Sequence, residues 1–325
     1  MKSLKLFAAA CVALATLCAG SASAASYPVK PVTVVVGFAP GGTNDILARL
    51  VAAELEKRLG QPFIVENKPG ASSMISANYV KNAKPDGYTL LVISSGGLTV
   101  NPAVYAENRV TYDPVKDFTP IALLATFPLV VTTGPNLKEV KDLSGLIAYA
   151  KQHKVPLAHG VATSTFQLAA EVLAEEAGIE FNHIPYKGSG PVVADLMGGQ
   201  TDLAVLDSAA VMPSVQAGRL QALAVTTAKR SAALPEIPTV AESGLPGFDV
   251  TIWTGFVAPA GTPPEVVQTL NKALGEALAQ PDIRQKFAQL GMDPGAADSK
   301  VLADATQKDL ARWTKVAKEA GIRFE

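Results

Sequence analysis

The chain is poor in charged residues and in cysteine, and both shortages narrow what it can be. Of its 325 residues only 18% are charged, the formal net charge is -1, and two are cysteines. Because no segment is rich in lysine or arginine, the sequence lacks the basic surface that a nucleic-acid-binding protein requires. Hydrophobic residues make up 48% of the chain, which is enough for a folded core and argues against intrinsic disorder. The length predicts two domains of roughly 100 to 200 residues each.

The first 24 residues have the pattern of a secretory signal peptide. Lys2 and Lys5 precede an apolar stretch over residues 6–19, and Ala22-Ser23-Ala24 is typical of a processing site. No later stretch reaches the ~18 consecutive apolar residues of a membrane-spanning helix. We therefore expect an exported protein that is cleaved after Ala24.

Both cysteines, Cys11 and Cys18, lie within this leader. The mature chain would then contain no disulfide bond, and its stability would depend on its core. A lipoprotein acylated at Cys18 is the alternative. The bulky Leu17 before that cysteine disfavours it, because such sites prefer a small residue there.

After the leader, segments typical of strands and of helices alternate. Apolar runs at 32–38 and 89–94 predict strands, and apolar residues recur at helical spacing over 46–59 before Gly60. Repeated strand–helix units predict an α/β fold in which mostly parallel sheets are flanked by helices.

Two segments, 113–127 and the proline- and glycine-rich 234–248, are candidate crossovers between two lobes. A chain that crosses twice returns to its first lobe, and the two lobes can then close around a ligand in the cleft between them. We expect lobe 1 to contain residues 25–125 and 247–325, and lobe 2 to contain residues 126–246.

Two loops, each between a strand and a helix, are candidate sites for an anion. In the first, paired glycines let backbone N–H groups turn toward one point at a helix N-terminus. In the second, three hydroxyl residues precede a helix. Either loop is also compatible with an ordinary turn in which a hydroxyl group caps the helix. The residues are Phe38, Ala39, Pro40, Gly41, Gly42, Thr43 and Asn44 in the first loop, and Thr163, Ser164 and Thr165 in the second.

Two carboxylates near these loops have two interpretations each. Asp45 lies in a first helical turn, where it would brace the loop by bonding to backbone, or would meet an ammonium or hydroxyl group of a ligand. Asp207 follows an apolar run, and it would cap the helix that starts at Ser208 or contact the ligand.

Groups for catalysis or metal binding are scarce in the mature chain. His153, His159 and His183 match no zinc-binding spacing, and we expect them on the surface or in loops. No G-x-S-x-G nucleophile motif is present, and Gly188-Ser189-Gly190 lacks its flanking pattern. The sequence therefore predicts no enzyme, no metal and no organic cofactor.

Several short blocks, in their order along the chain, resemble the tripartite tricarboxylate transporter substrate-binding family, also called the Bug receptors. The resemblance covers essentially the whole mature chain. The blocks include Pro40-Gly41-Gly42 with Asp45, and the segments 65–71, 85–89, 183–188 and 259–263.

This resemblance implies a two-lobed periplasmic binding protein of type II-like fold, located in the periplasm and monomeric. Such a protein binds a small carboxylate or an amino acid and delivers it to membrane permease subunits. In similar proteins the two loops hold one carboxylate of the ligand, which corresponds here to residues 38–44 and 163–165. The roles of Asp45 and Asp207 stay open.

The chain also departs from this family pattern. Relatives commonly have a second loop rich in glycine and serine followed by His-Leu, whereas this chain has Val161, Thr163 and then Gln167-Leu168. Gly37 stands where a proline is common. No relative's ligand can therefore be transferred. A periplasmic sensor that feeds a membrane signalling protein is the alternative function, and an enzyme acting on a carboxylate is a third.

Overall fold

A computed structural model describes residues 27–106, 108–319 and 323, and these contain ten strands and ten α-helices. The predicted leader, with Cys11 and Cys18, lies outside the described residues. The strands are β1 (Val32–Val36), β2 (Phe63–Asn67), β3 (Thr89–Ser94), β4 (Phe118–Thr133), β5 (Leu157–Val161), β6 (Phe181–Pro185), β7 (Leu203–Asp207), β8 (Gln221–Val225), β9 (Thr251–Pro259) and β10 (Asp293–Pro294).

The helices alternate with the strands, as the sequence pattern predicts. They are α1 (Thr43–Leu59), α2 (Met74–Lys81), α3 (Asn101–Val104), α4 (Leu143–His153), α5 (Ser164–Ala177), α6 (Ser189–Met197), α7 (Ser208–Gln216), α8 (Pro264–Leu278), α9 (Pro281–Gln289) and α10 (Ser299–Glu319). Helix α1 ends at Gly60, whose φ of 70° suits glycine, and a π-turn over Gly96–Val100 leads into α3.

The strands form one hydrogen-bonded network with the order β2-β1-β3-β9-β4-β7-β5-β6, and β8 and β10 pair with β4. Strands β1, β2 and β3 are parallel to one another, as are β5, β6 and β7. The predicted α/β fold is confirmed. The sheets are mixed, however, because β4 and β9 run antiparallel to their neighbours, and strand direction does not show in hydrophobic periodicity.

Strand β4 connects the two halves of the molecule. Its residues 118–128 pair with β9, and its residues 129–133 pair with β7 and β8. We call β1, β2, β3, β9, β10 and the first part of β4 the first sheet, and β5 to β8 with the second part of β4 the second sheet. Part of the predicted crossover 113–127 is thus strand.

The chain returns from the second sheet to the first over residues 226–250. The bonds from the Val240 N–H to the Val225 carbonyl (2.9 Å) and from the Val250 N–H to the Thr226 carbonyl (2.7 Å) hold this segment beside the end of β8. It includes the predicted crossover 234–248, and β9 begins directly after it.

The core is apolar, and the C-terminal helix covers part of it. Trp313 of α10 is 2% exposed, and Leu302 is fully buried against β9. A Cβ atom on Gly255 of β9 would lie 2.7 Å from a methyl group of Leu302, so glycine at this position permits the close contact. Burial of large side chains at both ends of α10 fixes this helix on the first sheet.

Candidate functional site

A cavity of about 460 Å³ lies between the carboxyl ends of strands from both sheets. It is mostly apolar, with polar groups at the start of several helices, as is typical of small-molecule sites. Its lining residues are Phe38, Ala39, Pro40, Gly41, Gly42, Thr43, Asn44, Ile46, Ser72, Ser94, Gly96, Gly97, Phe127, Thr163, Thr165, Phe166, Lys187, Gly188, Ser189, Gly190, Pro191, Val193, Asp207, Ala209, Ala210 and Ile252.

Four helices begin at this cavity. Thr163 caps α5 by accepting a hydrogen bond from the Phe166 N–H (3.3 Å), and Asp207 caps α7 by accepting one from the Ala210 N–H (3.1 Å). Helices α1 and α6 instead follow glycines and have no side-chain cap. Because the first N–H groups of a helix have no intrahelical partner, these two uncapped ends supply donors for an anion.

The loop before α1, residues 37–42, is shaped by one glycine with positive φ. Gly41 has a φ of 85°, a left-handed conformation in which other residues are strained. No atom lies within 4 Å of the position that a Cβ on Gly41 would occupy. The loop therefore presents its backbone to open space in the cavity.

Asp45 braces this loop from behind and does not line the cavity. Its carboxylate is 2% exposed. It accepts hydrogen bonds from the Gly41 N–H (2.9 Å), from Arg49 (3.0 Å) and from Asn67 (2.8 Å). Asn67 also donates to the Phe38 carbonyl at 3.0 Å. Both ends of the loop are thus tied to one carboxylate.

The same contacts set the ionisation of Asp45. Burial opposes ionisation, but the hydrogen bonds from Arg49, Gly41 and Asn67 outweigh it, and the pKa of Asp45 lies below its ordinary value. The carboxylate is therefore charged at neutral pH, and its donors already occupy it. This geometry matches the bracing interpretation of Asp45, with the Gly41 N–H as the bonded group.

Asp207 joins the two sheets at the cavity. Its Oδ1 accepts a hydrogen bond from the Thr43 hydroxyl (2.5 Å), and its Oδ2 accepts one from the Ser189 hydroxyl (2.6 Å). Thr43 begins α1 beside the first sheet, whereas Ser189 begins α6 and Asp207 ends β7 of the second sheet. One buried carboxylate therefore links the starts of α1, α6 and α7.

Ten of the twelve residues that the sequence singles out line the cavity, and Asp45 and Ser164 do not. The Ser164 hydroxyl points away and donates to Asn101 Oδ1 at 3.1 Å. Asn44 lines the cavity while its side-chain oxygen accepts from Thr254 of β9 at 2.8 Å. Bonds to neighbouring elements thus fix both helix ends.

Two further parts of the lining were missed from the sequence. One is the turn at Gly96 and Gly97, where the absence of a side chain on Gly96 makes room for Thr165. The other is the segment 187–191 before α6. Its glycines follow strand β6 and precede a helix, the same order that drew attention to residues 38–44.

The histidines contradict one expectation. His159 is completely buried, and in the parallel register of β5 and β6 it stands beside His183. Their Nδ1 atoms are 2.8 Å apart, and His183 Nε2 lies 2.7 Å from a Glu171 carboxylate oxygen. Only His153 is exposed, as expected. The pair was missed because 24 residues separate the two histidines in the sequence.

Within the residues that the structure describes, no cluster of three or more His, Cys, Asp or Glu side chains could hold a metal ion. In the same part of the chain, no helix combines the length and apolar character needed to cross a membrane.

A protein-family model for the tripartite tricarboxylate transporter family receptor matches residues 47–322. Protein BugT of Bordetella pertussis is 35% identical to the chain over 314 residues, which cover 94% of the chain and 94% of BugT. The match therefore runs through the first sheet, the second sheet and the C-terminal helix.

Solved structures of similar proteins have the same fold. R. palustris Rpa4515 with adipate has a TM-score of 0.87 and 38% identity, and covers 91% of this chain and 99% of its own. The periplasmic binding protein BugD has a TM-score of 0.84 and 34% identity, with coverage of 92% and 100%. MatC from Rhodopseudomonas palustris with bound malate has a TM-score of 0.82 and 36% identity, with coverage of 89% and 99%.

Proposed function

The chain belongs to the tripartite tricarboxylate transporter receptor family, a family of periplasmic solute-binding proteins, and from that premise we propose that it is a receptor for a small carboxylate. The observation that carries this proposal is the convergence of four helix N-termini on one cavity, two of them uncapped. Positive helix ends and free N–H groups favour an anion. Solved structures of relatives with adipate and with bound malate support a carboxylate over other anions.

The affinity expected from such a site is moderate. Four charge-assisted hydrogen bonds of about 1.5 to 3 kcal/mol each give roughly 6 to 12 kcal/mol in total. A micromolar dissociation constant requires about 8 kcal/mol net of the entropy lost on binding. We therefore expect dissociation constants in the micromolar range, with backbone dipoles supplying most of the attraction.

Ligand capture in this proposal couples to closure of two lobes. We propose that residues 25–125 with 247–325 form one lobe, that residues 126–246 form the other, and that the ligand binds in the cleft between them. The cavity is lined from both sheets, and the Thr43–Asp207 bond spans it. That bond acts as a latch of the closed form, while β4 and the return segment 226–250 supply the hinge.

We further propose how the chain reaches its place of action and where its ligand goes. The chain is exported by a signal peptide that is cleaved after Ala24, acts as a monomer in the periplasm, and hands the ligand to membrane permease subunits. Membership of a transporter receptor family supports this assignment, as does the leader pattern of residues 1–24.

A thermal-shift screen of carboxylic and amino acids tests the proposal, because a ligand that binds only the native state raises the melting temperature. Titration calorimetry of the best compound should give one site per chain, and the compound should be recovered unchanged. If no carboxylate shifts the melting temperature, the proposal is wrong. A compound that is consumed would indicate an enzyme instead.

Two glycine variants locate the site. Gly41→Asp places a negative charge in the cavity and should abolish binding. Gly261→Asp is the matched control, because Gly261 has nearly the same φ, 83° against 85°, and equally open surroundings, but lies outside the cavity. Both variants carry the same backbone strain, so a loss of binding in Gly41→Asp alone assigns the ligand to the loop at 37–42. Unchanged affinity in Gly41→Asp would remove that loop from the site.

A further inference from the structure

Only two charged side chains line the cavity, Lys187 and Asp207, and the structure describes every one of the lining residues. They differ in how their charges are used. The two oxygens of Asp207 accept three hydrogen bonds, from the Thr43 hydroxyl, the Ser189 hydroxyl and the Ala210 N–H. A carboxylate so occupied, and 4% exposed, has little capacity left for a ligand ammonium group.

Lys187, in contrast, has no hydrogen bond or ion pair to any other residue in the described part of the chain. Its side chain is exposed at the edge of the cavity, so its positive charge is solvated and available. Other lysines of the described chain do have a carboxylate partner, as Lys68 has in Glu66 (2.6 Å) and Lys81 in Asp117 (2.8 Å). The cavity therefore offers one unused cation.

The backbone that carries Lys187 is held firmly on both sides. On one side, the Tyr186 N–H donates to the Val161 carbonyl and the Tyr186 hydroxyl to Asp195, each at 2.8 Å. On the other side, Ser189 is bonded to Asp207. The lysine thus extends from a fixed backbone. Binding of a ligand group therefore has to order the side chain of Lys187 but not its backbone, which lowers the entropic cost.

Lys187 also lies close to the proposed carboxylate site. It is two residues from Ser189, so their Cα atoms are at most about 7 Å apart. Ser189 is connected through Asp207 to Thr43 at the start of α1. A ligand held at its first carboxylate by uncapped helix N-termini therefore has, along the same cavity, a cation for a second carboxylate.

We infer that Lys187 is a specificity-determining residue that binds the second carboxylate of the ligand, so that the substrate class is a dicarboxylate. The inference rests on the proposed function, in which the first carboxylate is bound by backbone donors. The Lys187 ammonium makes one charge-assisted hydrogen bond with the second carboxylate. A monocarboxylate of the same length leaves the ammonium in water.

Calorimetric titration of matched pairs tests this assignment. Succinate, glutarate and adipate are compared with butyrate, valerate and hexanoate, which have the same carbon number and one carboxylate fewer. The proteins are the wild type, Lys187→Met, Lys187→Arg and Lys57→Met. Lys57 is an exposed lysine near the far end of α1, about 20 Å along the helix from the cavity, and controls for the loss of one charge.

We expect Lys187→Met to weaken the best dicarboxylate by about ten- to a hundredfold and the matched monocarboxylate by less than twofold. Lys187→Arg should stay within about threefold of wild type, and Lys57→Met should equal it. Added salt should weaken dicarboxylate binding in the wild type more than in Lys187→Met, because the charge pair is screened.

Three outcomes would overturn the inference. An equal loss of affinity for both ligand classes in Lys187→Met would mean that the lysine shapes the cavity but does not bind the second carboxylate. Unchanged dicarboxylate binding in that variant would mean that it has no part in recognition. In both cases carboxylates still bind the wild type, so the proposed function stands. If no carboxylate binds the wild type, the proposed function fails and this inference fails with it.

Discussion

Acid is expected to destabilise this protein through one buried base, His159. The ring is completely buried, its Nε2 accepts a hydrogen bond from the Val205 N–H at 3.2 Å, and its Nδ1 faces His183. Because Nε2 is an acceptor, the neutral ring carries its proton on Nδ1. Burial, with a smaller contribution from the neighbouring His183, lowers the pKa of His159 from 6.5 to about 3. Protonation would bury a charge and break the bond to Val205.

The size of the effect follows from proton linkage. Below pH 6.5 the unfolded chain binds a proton at this ring and the folded chain does not, so the free energy of unfolding falls as pH falls toward 3. Between pH 7.5 and pH 5.0 the loss is about 2 kcal/mol, at 1.36 kcal/mol per pH unit below 6.5. A change of that size is a substantial part of the stability of a typical domain.

The assay is urea unfolding at pH 7.5 and at pH 5.0 on the wild type, His159→Asn and His153→Asn. The relevant quantity is the difference in pH dependence between proteins, because other groups also titrate. Burial raises the pKa of Asp309, so this group adds stability as pH falls. Its contribution is the same in all three proteins and cancels in the comparison. His159→Asn should lose about 2 kcal/mol less than the wild type between the two pH values.

His153→Asn removes an exposed histidine and should have the pH dependence of the wild type. The reasoning is refuted if His159→Asn and wild type lose the same free energy of unfolding on acidification. A lower stability of His159→Asn at both pH values would not matter, because only the change with pH enters the comparison.

Three further predictions concern the loop at 37–42 and its supports. Asp45→Asn should lower the free energy of unfolding by about 1 to 3 kcal/mol in urea titrations, and should weaken ligand binding in calorimetry although Asp45 lies outside the cavity; an unchanged affinity would show that the loop needs no brace. Thr43→Val removes the bond to Asp207 and should expand the ligand-free protein in small-angle scattering, whereas an unaltered radius of gyration would contradict the latch. Gly37→Val should destabilise the fold by about 1 to 3 kcal/mol, because a Cβ atom there would lie 2.5 Å from the Ser73 and Ser76 side chains. A melting temperature equal to that of the wild type would show that these serines can move.

Local patterns account for most of the secondary structure. Helix α1, observed over Thr43–Leu59, is predicted from the apolar residues that recur at helical spacing over 46–59 before Gly60. Strand β3 is likewise predicted as Thr89–Ser94. The long strand β4 was only partly recognised. Its first half contains Pro120 and lies largely in the segment 113–127, which the sequence suggests as a crossover between lobes, but pairing with β9 holds it in the sheet.

The candidate site was also only partly predictable: local sequence marks one loop, and contacts between distant segments decide the rest. Glycines before a helix mark residues 38–44, since few other sequences suit a turn that exposes backbone N–H groups. The same reasoning applies to the glycines after Lys187. The local sequence does not show, however, that these glycines lie close to Thr43. Contact between Thr43 and Asp207 depends on how two sheets meet, and 164 residues separate the two side chains.

By itself, the sequence determined the alternation of strands and helices, the glycine turn at the start of α1 and the shortage of charge near it, because each depends on residues close together in the chain. Only the tertiary structure decided that β4 and β9 run antiparallel, that His159 is buried beside His183, and that Asp45 faces away from the cavity. It also decided that Asp207 accepts three hydrogen bonds, whereas Lys187 makes none to the residues that the structure describes. These properties arise from packing between distant segments, which no local periodicity encodes.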